Sequence, residues 1–178
     1  MALQDKERWD FKYLQGWQST LHKTLVEFYT YAPVGRALEI ACGTGENAIF
    51  LAKQGFTVDA IDISIVALKK ARRQANERNL KVNFICADLD YFVLKEDTYN
   101  LVVNFYYLNR RLIPQIKKAL KPNGLIIFET YNERHTLIKR DFNPDYLLKE
   151  GELSRFFEDF RVVFYKEEFN ISTLVAFK

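Results

Sequence analysis

Apolar positions change period several times along this 178-residue chain. Residues 36–41, 56–61, 82–86, 99–104 and 125–130 are short apolar runs bounded by charged or turn-forming residues, the pattern of buried strands. Between them, residues 46–54, 64–79 and 108–120 space their apolar side chains as helices do. Residues 15–31 also read as a helix, with Leu21, Leu25, Val26 and Phe28 on its apolar side and Pro33 and Gly35 breaking it. Ser64 suits an N-cap, because its hydroxyl can accept from a free N–H of the first turn. Pro114 marks the true first turn of its helix, where its missing N–H costs nothing. Residues 131–144 read as a loop and residues 146–160 as partly helical. The last stretches, 161–168 and 171–177, alternate with period two around Asn170 and predict an antiparallel hairpin. Strands that alternate with helices wind, by right-handed crossovers, into a mostly parallel sheet with helices on both faces.

Composition narrows the class. Hydrophobic residues make up 48% and charged residues 28%, so one α/β domain can bury its core without staples. The net charge of +3 is spread among acids, and the basic run Lys69–Arg73 falls on a helical face exposed to solvent. A nucleic-acid partner is therefore not expected. Two cysteines, Cys42 and Cys86, form neither a disulfide framework nor a metal-ligand spacing, which fits a reduced, cytoplasmic protein without a metal. The first ten residues are too polar for a secretory leader, and no apolar run is long enough to span a bilayer. No membrane partner is expected.

One segment carries chemistry. The run Leu38-Glu39-Ile40-Ala41-Cys42-Gly43-Thr44-Gly45-Glu46-Asn47 takes a strand into glycines and then directly into a helix. Glycines let the backbone turn sharply and approach a ligand, and the helix start presents free N–H groups. Three acids follow at successive strand ends. Asp62 can accept both ribose hydroxyls of an adenosine, and Asp88 can accept from an adenine amino group. Glu39 lies just before the glycines, where it repels a pyrophosphate and attracts a cationic ligand. The glycine spacing also fits the loose dinucleotide pattern, so a nicotinamide-dependent oxidoreductase and a non-catalytic cofactor-binding module stand as alternatives.

The segments 37–45, 58–64, 85–89 and 120–126 resemble, in order, four motifs of the Rossmann-like (class I) S-adenosylmethionine-dependent methyltransferases. Asn123 stands where that family usually has a glycine, and asparagine tolerates a left-handed turn. The stretches around Arg8-Trp9-Asp10, Glu46–Ala52 and Gly151-Glu152-Leu153 are most similar to the tellurite-resistance and thiopurine methyltransferase-like group. This resemblance implies a seven-stranded sheet with an antiparallel last strand. It implies one domain over residues 1–178, with residues 1–31 a helical lid on a core of residues 36–178. It also implies S-adenosyl-L-methionine as cofactor, with S-adenosyl-L-homocysteine as product.

By the same resemblance, Ala41, Cys42, Gly43, Gly45 and Asn47 line the methionine part of the cofactor, and Glu39 faces its amino group. Asp62 holds the ribose, Ile63 packs on the adenine, and Asp88 with Leu89 holds its edge. Asn104 and Phe105 lie near the methyl group, and Trp9 and Tyr13 fold over as a lid. The acceptor is expected to be a small molecule, a tellurite or selenite oxyanion or a thiol. His135 is the candidate base, Arg110 the candidate anion ligand, and Tyr107 a further catalytic candidate. The protein is expected to be a monomer or a weak homodimer.

Overall fold

The computed structural model describes residues 2–178, with side chains from Asp5 onward; Met1 and the side chains of residues 2–4 of the expected lid lie outside the described residues. The strands are β1 (Arg36–Ile40), β2 (Thr57–Asp62), β3 (Val82–Cys86), β4 (Tyr99–Phe105), β5 (Leu120–Tyr131), β6 (Arg161–Glu167) and β7 (Ile171–Phe177). The helices are α1 (Ala2–Leu14), α2 (Lys23–Phe28), α3 (Glu46–Lys53), α4 (Ile65–Glu77), α5 (Ile113–Ala119) and α6 (Glu152–Phe156). The seven strands form one sheet in the order β3-β2-β1-β4-β5-β7-β6. β1 through β5 pair in parallel, and β7 runs antiparallel to both β5 and β6. This is the expected Rossmann-like α/β architecture with a closing antiparallel hairpin.

Both faces of the sheet are covered, which explains why its central strands read as unbroken apolar runs. Ala37, Leu101, Val103, Leu125, Ile127 and Val175 pack into one core with Leu51 and Leu68. Their neighbours Leu38, Val102, Ile126, Phe128 and Leu174 pack into the other with Leu112, Ile116 and Phe157. Successive residues thus serve opposite cores, as period-two geometry requires.

Local signals hold where the chain is locally determined. The Ser64 hydroxyl accepts from the Ala67 N–H at 3.1 Å, and Pro114 falls in the first turn of α5. Asn123 adopts φ 61°, the left-handed conformation that the bend in the first part of β5 needs. The expected helix over residues 15–31 is corrected. Helix α1 ends at Leu14, Gly16 turns the chain at φ 95°, and regular structure resumes only with the six-residue α2. The intervening strap gives its backbone to the glycine loop instead of to a helix. Ser19 donates its N–H to Thr44 Oγ1 at 2.8 Å, and His22 donates its N–H to Asn47 Oδ1 at 3.0 Å. The expected loop after β5 contains a short 3-10 turn, Glu133–Leu137. Helix α6 covers only the middle of the region expected to be partly helical.

Candidate functional site

The strand order reverses direction between β1 and β4, so the crossovers that leave their carboxyl ends diverge and open a crevice there. The glycine loop forms one wall. Gly43 and Gly45 have φ 55° and 79°, and Ala41 is also left-handed at φ 52°. A Cβ on Gly45 would press on Ala71 and Phe84 at 3.0 Å, so this glycine is required for packing α3 and α4 against the sheet. The turn is closed by Gly45 N–H donating to the Cys42 carbonyl at 2.9 Å, and Cys42 N–H donates to the Ile61 carbonyl at 2.9 Å.

Two buried carboxylates brace this loop. Glu39 accepts from the Asn47 side chain and from Ala48 N–H, both at 2.8 Å. Burial pushes its carboxyl up to about 8, outweighing those two hydrogen bonds. Asp62 accepts from Gly43 N–H at 2.7 Å and Ser64 N–H at 2.8 Å. Burial raises its carboxyl too, against the pull of the same two N–H groups. Each Asp62 oxygen has one N–H donor and keeps a further lone pair for another. Next to Ile40 in the sheet, Asn104 donates to the Tyr107 carbonyl at 2.7 Å. Its Oδ1 is the one buried side-chain polar atom among the described residues with no partner. An orphan acceptor of this kind calls for a donor from a ligand.

The N-terminal strap crosses this wall. A Cβ on Gly43 would collide with the hydroxyls of Ser19 and Tyr13, which places both hydroxyls at the notch. Tyr13 is 4% exposed, and its phenol is raised by burial and by the charge of Asp62. Trp9, Tyr13 and Trp17 pack on one another with ring centroids 5.3–5.9 Å apart. Asp10 accepts from the Ser64 hydroxyl at 2.5 Å, and Lys70 bonds the Tyr13 carbonyl, so α1 is tied to α4.

On the other wall, beyond Asn104, aromatic rings follow one another. His22 stacks on Phe105 at 4.0 Å and leans on Tyr106 at 5.0 Å. Tyr106 stacks on Tyr131 at 4.7 Å, and Tyr131 stacks on His135 at 3.9 Å. Tyr106 holds the left-handed φ of 54°, a strained conformation for an aromatic residue. His22 Nδ1 lies 3.5 Å from Glu129 Oε1. Glu129 Oε2 accepts from Thr24 at 2.6 Å and Thr173 at 3.0 Å. Burial acts to raise the Glu129 carboxyl, but the bonds from His22, Thr24 and Thr173 bring it below its ordinary value.

The structure gathers Ala41, Cys42, Gly43, Gly45, Asn47, Glu39, Asp62, Asn104, Phe105 and Tyr13 at the crevice. Ile63 is half-buried beside it, and its carbonyl accepts from the Cys86 thiol at 3.7 Å. Leu89 is buried, and Asp88 Oδ1 accepts from Asp90 N–H at 2.9 Å in a local turn. The three acceptor-side candidates take the following places. Arg110 is a strut: its guanidinium forks onto Glu152 at 2.7 and 2.9 Å and bonds the carbonyls of Asp145 and Leu147, leaving little for an anion. Tyr107 turns to Asn109 at 3.4 Å, near Asp88 and Asp90, and burial pushes its phenol up to about 12. His135 is buried rather than a free loop residue. Its Nδ1 meets the Asn170 amide at 3.1 Å, and burial lowers its basicity. His22, Glu129, Tyr106 and Tyr131 escaped sequence reasoning. The available signal was a charged residue, Glu129, near the carboxyl end of an apolar strand, the same signal that marks Glu39.

Comparison with known proteins agrees with this geometry. Residues 37–124 match the methyltransferase domain family. A ubiquinone biosynthesis O-methyltransferase of Rickettsia akari is 31% identical over 100 residues, covering 53% of this chain and 39% of its own. The chain spans about half the length, or less, of such curated relatives. Among solved structures, TehB from Haemophilus influenzae superimposes with a TM-score of 0.80 at 17% identity, covering 90% of this chain and 63% of TehB. A SAM-dependent methyltransferase from Methanosarcina mazei superimposes with a TM-score of 0.73 at 17% identity, covering 90% and 99%. At those identities the likeness shows the fold. The sequence match, residues 37–124, runs from β1 into the start of β5, so the segment similar to the methyltransferase domain family coincides with the strands that build the crevice of this Rossmann-like fold.

Proposed function

We propose that this protein transfers a methyl group from S-adenosylmethionine to a small-molecule acceptor. The observation that carries this reading is the crevice at the carboxyl ends of β1, β2 and β4. There Gly43 and Gly45 bare the backbone, Glu39 and Asp62 are buried without a cationic partner, and Asn104 Oδ1 lacks a donor. The residues fit the group. Asp62 has lone pairs left for ribose hydroxyls, Glu39 suits an ammonium, and Asn104 can accept from a donor at the methyl-bearing end.

When bound, the cofactor supplies an electrophilic methyl carbon on a sulfonium. The chain's share of the work is to bind, to orient and to exclude water, and positioning alone can contribute roughly 7–11 kcal/mol in well-aligned systems. Burial raises the Glu39 carboxyl, and an arriving cationic ligand opposes that shift by favouring the ionised form. The strap from Trp9 to Ser19 acts as a lid, with Tyr13 and Ser19 withdrawing from Gly43 to admit the ligand and then closing over it.

The likeness to the tellurite-resistance group raises tellurite or selenite as acceptors, and the aromatic wall raises an organic thiol or hydroxyl compound. The wall favours the organic acceptor, because Arg110 is committed to Glu152. Turnover assays with tritiated S-adenosylmethionine against tellurite, selenite, thiols and phenols test this. Transfer to organic acceptors alone supports it, and transfer to tellurite alone refutes that preference.

A further inference from the structure

We propose that His22 is the general base of the acceptor site, positioned by Glu129, and that the acceptor is a planar molecule bearing an ionisable hydroxyl or thiol. The inference rests on the methyl-transfer reading above and specifies its second substrate.

The placement comes first. His22 stacks on Phe105 at the carboxyl end of β4, and its N–H is held by Asn47, which also bonds Glu39, so its ring stands at the crevice on the Glu39 side. Its orientation is fixed from three sides. The backbone N–H is held by Asn47 of α3, the ring face by Phe105 of β4, and Nδ1 by Glu129 of β5. Thr24 of α2 and Thr173 of β7 hold the other oxygen of Glu129, which leaves Oε1 to the imidazole. An ionised carboxylate only accepts, so Glu129 favours the ring orientation that turns an Nδ1 proton toward it and leaves Nε2 to face an acceptor. No described residue hydrogen-bonds Nε2; the His135 ring, held at Nδ1 by the Asn170 amide, has no carboxylate paired with it among the described residues.

Other groups facing this site are poor bases at neutral pH. Burial and Glu129 push the Tyr106 phenol up to about 12, and burial raises Tyr131. The nature of the acceptor follows from the wall itself. Tyr106 and Tyr131 stack with their planes 19° apart, and Tyr131 and His135 with theirs 24° apart, so this side is lined by the edges of stacked rings, which suit the face of an aromatic acceptor. Lys139 lies over the Phe142 ring at 5.7 Å, three ring contacts along from His22. An oxyanion already holding its charge needs no base, whereas a neutral hydroxyl or thiol does. In the step, the acceptor proton passes to His22 Nε2 and the acceptor oxygen or sulfur forms its bond to the methyl carbon. The carbon–sulfonium bond breaks with its electron pair kept by that sulfur, and His22 then returns the proton to solvent.

The test uses 4-nitrophenol as a planar probe whose ionisation is visible. S-adenosylhomocysteine is first titrated into wild-type protein, His22→Gln and Glu129→Gln by calorimetry. Equal binding by all three shows intact folds and an intact cofactor half. Failure of the wild type to bind at this stage defeats the methyltransferase reading, and the dyad with it, before any phenol is added. 4-Nitrophenol is then added at a pH below its ionisation in water. The wild-type complex should develop the nitrophenolate band, His22→Gln should abolish it, and Glu129→Gln should weaken it several-fold. A wild-type complex that leaves the phenol neutral or unbound overturns the proposal, as does a band that survives in His22→Gln. Loss of S-adenosylhomocysteine binding in His22→Gln would mark the histidine as structural, and also overturns it.

Discussion

Asp59 and Glu39 stand on adjacent strands, each 2% exposed, yet their carboxyls shift in opposite directions. Asp59 serves the body of the sheet. It accepts from the Arg36 fork at 2.8 and 3.1 Å, from Asn83 at 2.9 Å and from Tyr99 at 2.9 Å. Burial acts to raise it, and these four bonds with the Arg36 charge hold it below the ordinary range. Glu39 is equally closed to solvent but lies deeper in the protein, with only two neutral donors and no cation, so burial wins. The same residue class is thus finished inside the fold at one site and left incomplete at the other. A buried acid lacking its counter-charge is a cost to stability that a cationic ligand can reverse.

The comparison can be broken first at Asp59. Replacing it with Ala strands Tyr99 and Arg36 and should cost about 2–3 kcal/mol of stability, discounted because Arg36 is half exposed and can turn to water. Urea unfolding measures the loss, and S-adenosylhomocysteine affinity of the folded fraction should stay as in the wild type. Glu39→Gln should do the reverse. The amide nitrogen would face one of the two N–H donors, Asn47 or Ala48, so stability should fall by about 1 kcal/mol, less than in Asp59→Ala. Affinity for S-adenosylmethionine should fall about tenfold, near 1.4 kcal/mol, because the ammonium loses its carboxylate. Equal destabilisation in the two variants would show that both acids are structural.

A smaller effect sharpens the contrast. Because the free-state carboxyl of Glu39 is raised to about 8 and cation binding requires its ionised form, affinity should climb as pH rises from 6.5 toward 8. Above that it should level off. Calorimetry across this range should also show proton release whose size depends on the buffer, and Glu39→Gln should flatten both. Smaller again, Gly43→Ala keeps every acid but forces φ 55° on a residue with a Cβ and pushes it into Tyr13 and Ser19. It should cost about 1–2 kcal/mol and increase proteolysis within residues 15–22 as the strap loosens.

The sequence reading succeeded where a feature is local and failed where it is assembled. Strands β1 to β5 were legible because each is one apolar run, and the loop because two glycines and an acid sit within seven residues. Ser64, Pro114 and Asn123 act through their own turns. Helix α1 was legible only through the resemblance that implies a helical lid, and not in the apolar pattern, because its charges pair along its own surface, Lys6 with Asp10 and Asp5 with Arg8, with little apolar stripe to mark it. The strap was misread as helix because its backbone bonds go to Thr44 and Asn47, which helical propensity does not register. The His22–Glu129 pair was invisible for the same reason. Its members lie at opposite ends of the fold's construction, and only the β4–β5 pairing of Phe105 with Glu129 brings them together. Arg110 was legible as a cation but not as a strut, since Glu152 reaches it across 42 positions of chain.

The most direct trial of the central claim is calorimetric titration of S-adenosylhomocysteine into the wild type and into Asp62→Ala. Two hydrogen bonds from ribose hydroxyls to a charged acceptor are worth about 3 kcal/mol together, so the variant should bind roughly a hundredfold more weakly than a micromolar wild type. Undiminished binding by Asp62→Ala, or none by the wild type, would contradict it.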